Sequence, residues 1–194
     1  INDNDAPGNV VGTLPGAGVF RIVRNAGNVE LRDNGGGLVT STANTGTILI
    51  NGDGNNNTLI YDLSGGSILG NVTFDGLGQT GSPGDTLVIQ DGSVTNAVFN
   101  YENANDGSVQ LDGNGLLTYR NLEPITSTIT AANVTLNYAA GPETIAVTDA
   151  GGGQTTVDST AGEITTFNNP TNRLEINAGA VSYTHLRAHE TSGY

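Results

Sequence analysis

Every apolar run in this chain is short, and almost every one ends at a turn built from Asn, Asp and Gly. Thr47–Asp62 shows the form: TILI, then NGDGNNN, then TLIYD. Ile, Leu and Tyr fall where a pleated strand would bury them. Gly and Asn tolerate positive φ, and Asp and Asn bond their own backbone, so the segment between suits a turn and little else. The phrase apolar-x-apolar-x, followed by Asp or Asn with Gly nearby, recurs along the chain. It returns at VELRDNGGG, ILINGDG, LVIQDG, VQLDGNG, IAVTDAGGG and LEINAG, beginning at residues 29, 48, 87, 109, 145 and 174. Most of these starts lie near 20 residues, or twice 20, apart.

A unit this short cannot bury its own face, so neighbouring units must stack. The expected fold is all-β, a parallel β-helix or β-solenoid. The alternative is a tandem antiparallel β-sandwich, since strands punctuated by turns about every 8–12 residues also read that way. Strands are expected over residues 10–14, 19–24, 28–32, 38–42, 47–50, 58–62, 68–74, 86–89, 94–101, 108–111, 116–119, 127–130, 134–138, 144–148, 155–157, 164–167 and 173–176. RLEINAG also echoes TILINGDG, which suggests super-repeat boundaries near 47 and 173.

Composition narrows the setting. Aromatic residues are only 5%, so Val, Ile, Leu and Thr must build the core. The net charge is −13, with six arginines and no lysine, a surface that repels nucleic acid and anionic membranes. No apolar run approaches the length of a membrane span, so no membrane insertion is expected. Cysteine is absent, which excludes disulfides and thiolate metal sites.

The two ends read differently from the middle. Residues 1–7, INDNDAP, resemble the end of a Calx-β or cadherin-like domain with its acidic linker. That resemblance implies Ca²⁺ at the junction, with Asp3 and Asp5 as ligands. Residues 181–191, VSYTHLRAHET, resemble a translated transposase adapter from short-read library preparation, so 181–194 is read as a non-native tail. His185 and His189, spaced like a zinc pair on a helix, both lie in it. Residues 8–180 remain as the repeat region. From Thr47 to Gly179 its phrases resemble internal repeats of giant extracellular or surface proteins of bacteria, notably planctomycetes. The chain is then expected to be an internal piece of a longer protein, extracellular or on the cell surface, with neighbouring domains of the same chain as partners.

Residues with chemistry are few. GDGNNNTLI resembles the RTX nonapeptide, whose Asp and carbonyl oxygens bind Ca²⁺. Here the key acidic position is Asn56, Leu59 comes one residue late and no tandem copy follows. The sequence assigns no metal or cofactor outright; Asp3, Asp5 and Asp53 are its Ca²⁺ candidates. Paired carboxylates for polysaccharide cleavage would come from Asp62, Asp85 and Asp91. Yet Asp53, Asp75, Asp91, Asp106 and Asp112 each precede Gly, which is turn chemistry. Thr126–Thr130 and Thr155-Thr156 would form Thr-rich faces, and Tyr61, Tyr101, Tyr119 and Tyr138 would stack on surface glycans. Against this stand plain β-propensity for Thr and the rim of a thin core for Tyr. Asn56, Asn71 and Asn133 open N-x-[ST] sequences.

The resulting expectation is a structural repeat or spacer segment of a large secreted or cell-surface protein, related to adhesion, and not an enzyme. The alternative is a Ca²⁺-dependent or carbohydrate-binding module. A β-helix polysaccharide-degrading enzyme comes third.

Overall fold

The alternating runs form strands throughout. The computed structural model describes residues 9–14, 16–78, 81, 83–139 and 142–179. The linker residues Asp3 and Asp5, and the tail with His185 and His189, lie outside them. The first strands are β1 (Asn9–Thr13), β2 (Gly18–Asn25), β3 (Asn28–Asp33), β4 (Leu38–Ala43), β5 (Thr47–Asn51) and β6 (Asn57–Asp62). Next come β7 (Val72–Asp75), β8 (Thr86–Gln90), β9 (Ser93–Tyr101), β10 (Gly107–Leu111), β11 (Leu117–Arg120) and β12 (Ile125–Ser127). The series ends with β13 (Thr130–Tyr138), β14 (Ile145–Gly151), β15 (Gln154–Ser159), β16 (Gly162–Asn168) and β17 (Arg173–Asn177).

They make two mixed sheets. One has the order β1-β5-β7-β11-β10-β9-β13-β17, the other β14-β15-β16-β12-β8-β6-β2-β3-β4. From β5 to β8 the chain changes sheet at every strand, so the crossover that parallel neighbours require is a strand of the opposite sheet. Ile48 pairs with Val72, and Leu59 with Leu87, both in parallel ladders.

The sheets are not uniformly parallel, which corrects the simplest form of the expected β-helix. Among the described residues, nine of fifteen strand pairings are parallel and six antiparallel. The antiparallel ones come from three excursions: β2-β3-β4, β9-β10-β11 and β14-β15-β16. Within each excursion the chain reverses and stays in one sheet, through links of two to five residues, two of which are two-residue turns ending in Gly. Ala26-Gly27, with Ala26 at φ 53°, joins β2 to β3, and Gly152-Gly153 joins β14 to β15. Three of the six recurring phrases, at β3, β10 and β14, lie on these excursions; the other three, at β5, β8 and β17, lie on parallel ladders. The phrase therefore marks a strand and its turn, and not an equivalent place in a repeating coil.

Alternate residues of both sheets meet in one hydrophobic core that includes Ile22, Leu31, Ile50, Leu59, Phe74, Leu87, Phe99, Val109, Leu136 and Phe167. The echo pair, β5 and β17, shares a sheet, but Ile50 is buried and Ile176 only half-buried on the edge strand.

Two expected strands are interrupted. Residues 68–71 form a corner, because Asn side chains take their backbone groups. Ile68 N–H donates to Asn114 Oδ1 at 2.9 Å, Leu69 N–H donates to Asn44 Oδ1 at 3.3 Å, and Asn44 Nδ2 donates to the Ser67 carbonyl at 3.1 Å. Here the corners stack so closely that a Cβ on Gly70 would lie 1.8 Å from the Gly46 carbonyl oxygen. At 127–130 the chain changes sheet between β12 and β13, and only Thr128 and Ile129 make the passage.

Candidate functional site

The Asp-Gly residues anchor turns and cross-links. Asp53 Oδ1 accepts from Asn55 N–H at 3.1 Å and Asp75 Oδ1 from Leu77 N–H at 2.9 Å. Asp106 ties to Asn121 N–H at 3.0 Å, and Asp112 to Asn96 N–H at 2.9 Å. Asp91 sits exposed at φ 58° and accepts from Gln90.

Asp53, the Ca²⁺ candidate within the described residues, is exposed, and Asn55 engages both its oxygens. The hydrogen bond from the Asn55 side chain is the main influence holding its carboxyl below the usual range. Asn56, at the altered RTX position, donates to the Pro83 carbonyl at 2.6 Å. Among the described residues no three His, Cys, Asp or Glu side chains are grouped so as to hold a metal ion.

Asp62, Asp85 and Asp91 do not form one carboxylate constellation. Thr58 pairs with Thr86 and Asp62 with Gln90, so Asp85 and Asp62 stand at opposite ends of the β6–β8 pair. Asp62 is buried; it forms an ion pair with Arg21 and accepts from Ser64 N–H at 2.7 Å. Asp85 is buried too, and accepts from Asn57 N–H at 2.6 Å; burial, the main influence, pushes its carboxyl up.

The tyrosines are not surface platforms or rim residues. Tyr61, Tyr101, Tyr119 and Tyr138 are only 1%, 2%, 0% and 6% exposed, which corrects their reading as glycan-stacking rings. Each lies on the inward side of its strand, where period two places it with the aliphatic core. Tyr101 and Tyr138 stack with ring centroids 4.6 Å apart, and burial pushes both hydroxyls up. The threonines divide. Thr148, Thr156, Thr166 and Thr126 stand in register across four strands of one sheet, with Thr156 Oγ1 and Thr166 Oγ1 2.8 Å apart. The N-x-[ST] asparagines are structural as well: Asn71 Oδ1 accepts from Leu116 N–H at 3.0 Å, and Asn133 Nδ2 donates to Asn96 Oδ1 at 2.9 Å.

The site that sequence reasoning missed is a groove of about 340 Å³ lined by Pro83, Ala104, Glu123, Pro124, Asp158, Ser159, Gly162, Glu163 and Ile164. Its floor is the start of β16. Gly162 lets that strand lie against the tyrosine stack, since a Cβ there would fall 2.7 Å from Tyr138 Cε1 and 2.8 Å from Tyr101 Cγ. Glu163 follows, 2% exposed. Its Oε1 is fully occluded and has no hydrogen-bond partner in the protein. Burial is the main reason its carboxyl is pushed up to about 8, with the charges of Glu123 and Asp106 adding to it. Behind the groove, Tyr101 O–H donates to Thr165 Oγ1 at 2.7 Å, and Ser159 O–H donates to Glu143 Oε2 at 3.2 Å. One sequence signal points to the site. Phe167 is inward, so period two carries Thr165 and Glu163 inward with it and turns Ile164 out, where it is 46% exposed.

Compared with protein-family models, curated proteins and solved structures, the chain matches none.

Proposed function

We propose that this chain is a β-helix-like spacer, a structural repeat segment of a large secreted or cell-surface protein that holds other modules apart. The observation that carries the reading is a pair of asparagine ladders along one sheet. Asn172 Nδ2 donates to Asn133 Oδ1 at 2.6 Å, and Asn133 Nδ2 to Asn96 Oδ1 at 2.9 Å. Four residues further along β9 and β13, Asn177 donates to Asn137, and Asn137 to Asn100, both at 2.8 Å. Three of these four bonds join residues paired in register on neighbouring strands, as stacked like residues do, and Asn172 extends the first ladder from just before β17. The change of sheet from strand to strand between β5 and β8 supports the same reading. A body whose layers touch mainly their neighbours is extended in one direction, as a spacer needs to be.

The test is length. Tandem concatemers of the full chain, with one to four copies, are measured by small-angle X-ray scattering. A spacer's maximum dimension grows in proportion to copy number. Growth closer to the square root of copy number, as for beads on a flexible linker, rejects the reading.

A further inference from the structure

We infer that the groove over Glu163 is a binding site for an alkyl cation, an ammonium or guanidinium group on an aliphatic stem like a lysine or arginine side chain. Three features of the groove define that ligand. Its charged lining residues, Glu123, Asp158 and Glu163, are all acidic, and none of the described arginines lines it. One of those acids is almost wholly enclosed without a partner, and burying such a carboxyl costs free energy unless a counter-charge or donor reaches it. The remaining wall is largely apolar, with Pro83, Ala104, Pro124 and the half-exposed Ile164 offering a track for methylenes.

A bare divalent cation fits less well. Ca²⁺ takes six to eight oxygens at about 2.3–2.6 Å, and no three acids among the described residues are so grouped. A volume of about 340 Å³ accommodates one long side chain.

Protonation competes with the cation. The groups facing Glu163 are Glu123 from the corner after β11, Asp106 from the β9–β10 loop, Asp158 from β15, Tyr119 from β11 and Tyr101 from β9. All are acids or phenols, so none supplies a positive charge that would ionise Glu163 ahead of the ligand. Binding therefore strengthens as pH rises from 6 to 9.

The experiment titrates the full chain with n-butylammonium, with n-butanol as its neutral counterpart, and with CaCl₂ at matched ionic strength, read by calorimetry and by amide shifts at Ser159 and Ile164. Expected is saturable butylammonium binding that weakens about tenfold or more in Glu163→Gln. It weakens by a smaller factor in Glu123→Gln, and is at least about tenfold tighter at pH 9 than at pH 6. A lysine-containing tripeptide that binds more tightly than the free amine assigns the ligand to a protein partner; weaker binding assigns it to a small amine. Equal affinity for butanol, unchanged binding in Glu163→Gln, or tighter binding of Ca²⁺ at the same amides overturns the inference. Should Glu163→Gln fail to fold, the exposed Glu123→Gln variant and the pH series decide it alone: no weakening and no pH dependence reject the site.

Discussion

At the scale of single residues, two buried acids pull the pH dependence in opposite directions. Burial pushes the Asp62 carboxyl up, but the hydrogen bonds from Ser64 and the charge of Arg21 outweigh it, and the net effect is a lowered pKa. A lowered folded-state pKa gives stability that is present above the unfolded value near 4 and is lost as pH falls through the folded one. Glu163, raised to about 8, behaves oppositely. Its contribution is fully present below about pH 4 and is lost as pH rises toward 8. Asp62→Asn is therefore expected to cost about 1–3 kcal/mol at pH 7, a gap that closes below about pH 4. Glu163→Gln is expected to match the parent near pH 4 and to exceed it by about 2–4 kcal/mol at pH 8. Urea denaturation of the three proteins at pH 2, 4, 6 and 8 measures both. Parallel curves for parent and Glu163→Gln would show that this carboxyl stays ionised in the fold.

At the scale of elements, Asn133 and Asn177 separate the ladder from ordinary surface polarity. Asn133 donates to Asn96 and accepts from Asn172, in the interior of a ladder; Asn177 is exposed on the edge strand and only donates. Asn133→Ala breaks two bonds and is expected to cost about 1–2 kcal/mol, against about 0.5–1 kcal/mol for Asn177→Ala. Equal losses in urea denaturation would mean that the stacked amides add nothing to one another. Strand positions were largely legible from alternation: β3, β5, β8 and β17 fall where the residue pattern places them, whereas β13 starts four residues ahead of the expected 134–138. Pairing was not legible. An Asp-Gly or Asn-Gly turn marks where a strand stops, but links of equal length both reverse and cross: Ala26-Gly27 returns β2 into β3 in one sheet, and Asp91-Gly92 carries β8 across to β9 in the other. DAGGG after β14 reverses, whereas NGDGNNN after β5 crosses. The 68–71 corner was hidden for a related reason. Its apolar residues look like strand, and the asparagines that bend it lie 25 and 46 residues away. Glu163 was overlooked because GEITTF reads as a strand around Ile164, and only the inward parity of Phe167 reverses the faces.

At the scale of the whole molecule, charge is the dominant unbalanced quantity. The net charge is −13, and the three ion pairs found among the described residues engage only Asp62, Glu30 and Glu175. The remaining carboxylates repel one another along the stack, and that repulsion is a property of the folded state that salt relieves. Raising NaCl from ~0.01 to ~0.15 M shortens the screening length from about 30 to about 8 Å. If screening recovers roughly 1 kcal/mol, the melting temperature rises by about 2–4 °C for a chain of this size. The identity of the cation then separates the spacer from a Ca²⁺-dependent module. A spacer responds to ionic strength alone, so CaCl₂ at matched ionic strength gives the same melting temperature as NaCl. A bound ion adds a term that grows with the logarithm of its concentration. A Ca²⁺ increment that keeps rising beyond the NaCl plateau, and that Asp53→Asn abolishes, would replace the spacer reading with a calcium-stabilised one.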